Sequence, residues 1–171
     1  MEDADLRHLL EGGDRRSIGQ ADAVARRIAG SARGIAAAVR LMQDADPVVA
    51  TRAADALEKA TRADHGSLAP HKHTLLGSVA AISQQEVRWH LLQMLPRLRL
   101  DPAERAAAFA LAEASLDHRS RIVAAYALSA LFALSADDPA LRAVAVAHAQ
   151  ARRSAPSAAI RTRVRQLLEG H

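Results

Sequence analysis

A pattern that returns about every 37 residues, four times over, constrains this chain more than any other feature. Its anchors are Val49, Val87, Val123 and Ile160, separated by 38, 36 and 37 residues. Counting each anchor as position zero, position four reads Ala53, Leu91, Ala127 and Val164. Position seven reads Ala56, Met94, Ala130 and Leu167, and position eight reads Leu57, Leu95, Leu131 and Leu168. Apolar residues at these spacings mark one face of a helix. A fixed period of this length is the signature of a solenoid, whose units bury their apolar faces against their neighbours. Stacked helices offer a broad surface rather than a catalytic pocket, so the pattern speaks to architecture before function.

Local signals agree with an all-α fold. Alternating β-branched runs and Asn-Gly or Asp-Gly turns are missing from the sequence. Asp46-Pro47, Asp101-Pro102 and Asp138-Pro139 each set a capping carboxylate before a proline at the first helical position. The aspartate accepts a bond from a free backbone N–H, and proline loses no bond there. Glu104 lies three residues after Asp101, and Gln20 three after Ser17, the spacing of a capping box. These starts predict a leading helix over 17–29. They predict four pairs, at 31–44 with 46–62, 67–82 with 84–98, 102–117 with 119–135, and 139–153 with 156–169. The expected architecture is a right-handed α-solenoid of about four antiparallel helix pairs with an N-terminal capping helix. Residues 1–16, charged and glycine-containing, are expected to be a flexible N-terminus, frayed or forming a loose cap. Residues 17–171 are expected to form one domain.

Composition narrows the chemistry. Of 171 residues half are apolar, yet only 2% are aromatic and roughly a quarter are alanine. Such a core is built from small side chains that let helices approach closely, and it suits a GC-rich bacterial genome. The absence of cysteine excludes disulfides and thiolate metal sites. The longest apolar-rich run, 122–134, is too short to span a bilayer. The opening MEDADLRHLLEGGDRR has no apolar run after its charges, unlike a secretory signal. A cytoplasmic protein with no membrane contact is expected. A net charge of +4, from 23 basic and 19 acidic residues, permits an acidic partner or nucleic acid without requiring one.

The second helices carry a motif that resembles HEAT repeats. In that family an aspartate in the turn is followed by Val-Arg and then small apolar residues leading to Ala-Leu. Here 44–61 offers Asp44, Val49 and the pair Ala56-Leu57. The next repeat has Val87-Arg88, the third has Asp117, and the fourth has Ile160-Arg161. The second repeat lacks the turn aspartate, and the third has Ala124 in place of the arginine. The resemblance covers residues 31–169. It implies a stack of helix pairs whose second helices line a concave surface, and it leaves the partner open, because such arrays serve many unrelated ones.

At 100° per residue, positions two, five, six and nine turn away from the first-helix layer. In the middle repeats they include Trp89, Leu92, Leu128 and Phe132, which either form a central apolar patch with Trp89 as its anchor or are buried by tight curvature and neighbouring side chains. Position three reads Arg52, His90, Tyr126 and Arg163. These side chains either offer a polar stripe to a carboxylate or phosphate, or bond across repeats, with Asp55 and Gln93 as partners. A candidate partner-binding set follows: Arg52, Asp55, Arg88, Trp89, His90, Gln93, Arg97 and Tyr126.

Catalytic signals are weak. His71 and His73 flank Lys72, but two residues apart on a helix their rings diverge, and no carboxylate completes a metal set. There is no Gly-x-Ser-x-Gly elbow and no glycine-rich phosphate loop. No cofactor, metal or catalytic residue is expected. Bacterial DNA-alkylation-repair glycosylases are also built from HEAT-like repeats and use aromatics and an aspartate in a basic cleft. Trp89, Tyr126 and Asp55 with Arg52, Arg88 and Arg97 supply the ingredients, though one tryptophan and one tyrosine give little stacking surface. HEAT-repeat lyases and chaperones that handle cofactors show no residue-level match. The favoured expectation is a non-catalytic module, monomer or homodimer, that binds a protein on its concave face. The alternative is nucleic-acid binding through arginines such as Arg161, Arg163 and Arg165.

Overall fold

The computed structural model describes residues 3–12, 17 and 19–170. Among these residues all regular structure is helical. The helices are α1 (Asp3–Leu10), α2 (Ala21–Ile28), α3 (Ala32–Leu41), α4 (Pro47–Ala60), α5 (Lys72–Thr74), α6 (Gln85–Met94), α7 (Pro102–Ala114), α8 (Arg121–Leu134), α9 (Pro139–Ala151) and α10 (Ala158–Glu169). Chain contacts divide the molecule into two compact units, 1–99 and 100–171. In the first, α4 packs against α2, α3 and α6. In the second, α8 packs against α7, α9 and α10.

The repeat register decides what is buried. Val49, Val87, Val123 and Ile160 are buried, as are Ala53, Leu91, Ala127 and Val164. Position eight is buried at Leu57, Leu95 and Leu131, and half-buried at Leu168. Capping chemistry sets the starts. Asp46 accepts from the Val48 N–H at 2.8 Å. Asp138 accepts from Ala140 and Leu141, each at 3.0 Å. Asp101 and Glu104 form a full capping box, with bonds of 2.8 and 2.9 Å.

Three expectations need correcting. The leading helix begins at Ala21, four residues late. Ser17 is spent on a tight turn, where its Oγ accepts from the Gly19 N–H at 3.1 Å, and Gln20 makes no side-chain cap. The first helix of the second pair is not continuous. A 3-10 stretch at His65–His71, one α turn at Lys72–Thr74 and a π turn at Leu75–Val79 replace it. Pro70 inside this stretch has no N–H to donate, which breaks the α ladder. The third difference concerns residues 3–10, expected within a flexible terminus. They form α1, with Leu6 and Leu10 buried. Residues 13–16, part of the same expectation, lie outside the described ones.

Helix α1 is tied down by charge as well as by its leucines. Arg40 bonds Asp3 twice at 2.5 Å, and Arg7 bonds Asp44 at 2.8 and 3.2 Å. Among the described residues no helix is long and apolar enough to cross a membrane.

Candidate functional site

The second helices of the first unit, α4 and α6, hold the densest set of polar side chains. Most of their groups bond to one another. Lys59 bridges Asp22 of α2 at 2.5 Å and Asp55 at 2.7 Å. Burial lowers the basicity of Lys59, but the two carboxylates outweigh it and its pKa ends above the usual value. Glu58, only 1% exposed, takes Arg62 at 3.0 Å and, across the repeat, Arg97. Burial raises the pKa of this carboxyl, and bonds from Arg62 and Arg97 more than reverse the rise, leaving it below the ordinary range.

His90 is 8% exposed on α6. Gln93 Nε2 lies 3.4 Å from its Nδ1 and donates to it when the ring carries its proton on Nε2, which lies 3.9 Å from Asp55 Oδ1. Burial pushes its pKa down to about 4, against smaller pulls from Asp55 and Glu58. The ring is therefore neutral near pH 7. Trp89, its neighbour, is half-buried, with the two ring centroids 5.5 Å apart.

Other candidates serve the backbone. Arg52, 3% exposed, donates to the carbonyls of Leu10 (2.8 Å), Glu11 (3.2 Å) and Gly12 (2.6 Å) through Nη1, and to Ser17 (3.2 Å) through Nε. Arg88 donates to the Ile82 carbonyl at 2.9 Å, and Arg161 does the same to Ala155 at 2.7 Å. Each reaches back six residues. The Val-Arg arginine thus closes the turn that leads into its own helix. In the second unit Tyr126 is half-buried, with the Arg163 guanidinium 5.7 Å from its ring centre.

Of the two readings of the middle-repeat apolar residues, burial holds for three of the four. Leu92, Leu128 and Phe132 are all buried, and Arg142 of α9 lies 5.1 Å from the Phe132 ring centre. Leu128 lies in α8, which packs against α7, α9 and α10, and is core. Of the four patch residues Trp89 alone keeps appreciable exposure. The position-three side chains also differ from a simple stripe. Arg52 turns to the N-terminal segment and His90 to Gln93 and Asp55, while Arg163 covers Tyr126.

Sequence reasoning missed a ladder one period long. Side chains about 37 residues apart meet repeatedly: Gln84 with the Pro47 carbonyl at 2.8 Å and Thr51 at 2.7 Å, Arg97 with Glu58, His148 with Glu113 at 2.7 Å, and Arg152 with Asp117 at 2.7 Å. The period itself was the available signal, since residues one repeat apart are neighbours in a stack. His71 is half-buried and His73 exposed, and among the described residues no three His, Cys, Asp or Glu side chains cluster as metal ligands.

Comparison with known proteins agrees with this architecture. No curated protein matches the chain. A similar solved structure is the crystal structure of an engineered protein from the Northeast Structural Genomics Consortium. It has 20% identity and a TM-score of 0.60, with 96% of this chain and 76% of that one covered. At that identity it shows the fold alone. The profile of the HEAT repeat domain matches residues 9–169. With the period, the buried register and the cross-repeat ladder, this match makes the chain a member of the HEAT repeat family.

Proposed function

We propose that the chain is a non-catalytic protein-interaction module whose binding face centres on Trp89, the half-buried anchor on α6 beside α4. The carrying observation is the contrast on that face. Asp55, Glu58, His90 and Arg97 are engaged with other side chains of this chain. They stiffen the surface rather than wait for a substrate. Trp89 stands half-open beside them, with Gln93 and Arg88 half-buried around it. A large amphipathic ring on a rigid rim is what a protein hot spot uses. Arg52 drops out of direct contact, since four backbone carbonyls occupy its guanidinium.

Affinity capture with the intact chain, compared with Trp89→Ala, tests this. The variant is expected to keep its helix content by circular dichroism and to lose the captured partner. A variant that folds and retains every partner overturns the proposal. Steep, salt-sensitive binding to generic duplex DNA, with no protein partner, would transfer the face to nucleic acid.

A further inference from the structure

We infer that the exposed flank of α10 is a docking groove for an acidic amphipathic helix of a partner protein, seated as a neighbouring repeat helix would be. The repeat register carries the inference. Thr51 and Glu58 of α4, positions two and nine, bond to Gln84 and Arg97, residues at the two ends of α6. Positions one and five lie just to the core side of these on the helix wheel. In α4 they are Ala50 and Ala54, and in α8 Ala124 and Leu128, all buried, with α6 on α4 and α10 on α8. In α10 the same two positions are Arg161 and Arg165, both exposed.

The surface there is a groove and not a flat cap. A cavity of about 480 Å³ is lined by Arg153, Arg161, Val164, Arg165, Leu168 and Glu169. That is within the range of built ligand clefts. Its accessible apolar group is the half-buried Leu168, since Val164 is buried beneath it. Its rim is cationic. Among the described residues no carboxylate pairs with Arg153 or Arg165, and Arg161 spends Nη1 on the Ala155 and Pro156 carbonyls. Glu169 is the one acid in the lining. A helical occupant would set a leucine-like side chain on Leu168. Its carboxylates would meet the guanidinium groups, whose planar fork suits paired oxygens. A solubilising cap needs only polarity. It has no need of three arginines around a half-buried leucine.

The site is separate from the Trp89 face and is tested apart from it. The probe is a fluorescein-labelled synthetic peptide with leucines four residues apart on one helical face and glutamates beside them, read by fluorescence anisotropy on the full chain. Controls are a scrambled peptide of equal charge, poly-glutamate and duplex DNA. Preferential binding of the patterned peptide is expected, about tenfold weaker in the Arg153→Glu/Arg165→Glu variant, as loss of two charge-assisted contacts implies. Both residues are exposed, so that variant is expected to fold, and circular dichroism checks it. Leu168→Gln should weaken the patterned peptide and leave poly-glutamate unchanged. Trp89→Ala should leave affinity unaltered. Equal binding of scrambled peptide, poly-glutamate or DNA, no binding, or indifference to the double charge reversal overturns the inference.

Discussion

Arg97, in the 3-10 turn after α6, grips Glu58 of α4 twice. Its Nη2 donates to the Glu58 carboxylate, and its Nη1 donates to the main-chain oxygen of the same residue at 3.1 Å. Arg62, just past the C-terminal end of α4, completes the set. A carboxylate this buried is tolerable only because two guanidinium groups answer it. One contact thus joins the ends of two consecutive second helices and sets the register between their repeats.

Glu58→Ala is expected to destabilise the chain by about 3–5 kcal/mol, because Arg97 would be left partly buried without its partner. Urea denaturation at neutral pH measures it. The folded pKa of Glu58 is depressed, so its contribution is present above the unfolded carboxylate value and lost as pH falls through the folded one. Unfolding midpoints of the parent should therefore fall in acid more steeply than those of the variant.

His90 gives a second acid sensitivity, in a different window. Its folded pKa is about 4, below the unfolded value near 6.5. Between these values the unfolded chain holds a proton that the folded chain does not. Stability is therefore full above about pH 6.5 and declines as pH falls toward 4. The groups facing the ring are Asp55, Glu58, Lys59, Arg62 and Gln93. Lowering the pH from 7 to 5 should cost about 2 kcal/mol through this residue alone. His90→Gln should remove that portion of the slope in urea titrations at the two pH values. An unchanged slope would mean that the ring protonates without resistance.

Arg52 and Gly19 fit one another. Gly19 has a φ of +52°, and a Cβ there would lie 2.7 Å from the Arg52 guanidinium carbon. That guanidinium is pinned by four carbonyls and has nowhere to retreat. Gly19→Ala should cost about 1–3 kcal/mol from backbone strain and the clash together. Arg52→Met should leave α4 intact but release the segment after α1. Hydrogen exchange at residues 3–12 should accelerate before exchange at α4. Simultaneous acceleration of both would show that Arg52 supports the whole unit.

Asp101→Ala removes a capping box in which both reciprocal bonds are made. The expected loss is about 1 kcal/mol, seen as a lower thermal midpoint. The same change at Asp138 deprives two N–H groups and should cost a similar amount.

The second helices were legible in the sequence. Val49, Val87, Val123 and Ile160 put one face of each second helix in the core, and the Asp-Pro pairs marked starts that the capping bonds reproduce. These are local effects, since a side-chain period of 3.6 and an N-cap need only neighbours in sequence. The stretch after His65 broke this rule because Pro70 interrupts the ladder inside an otherwise periodic segment. The face opposite the core was not legible in the same way. Leu92, Leu128 and Phe132 pointed away from their own first helices, and the helix wheel makes them look exposed. Whether such a side chain meets water depends on what packs beside it, which one helix does not record. Arg52 is the sharpest case. Its position left open a polar stripe or a bond across repeats to Asp55 or Gln93, yet carbonyls forty residues away in sequence claim it. Sequence alone determined the repeat, its core stripe and its three Asp-Pro caps. Tertiary packing decided which charges are spent holding repeats together and which, like Arg153 and Arg165, still face solvent, because that depends on distances between segments far apart along the chain.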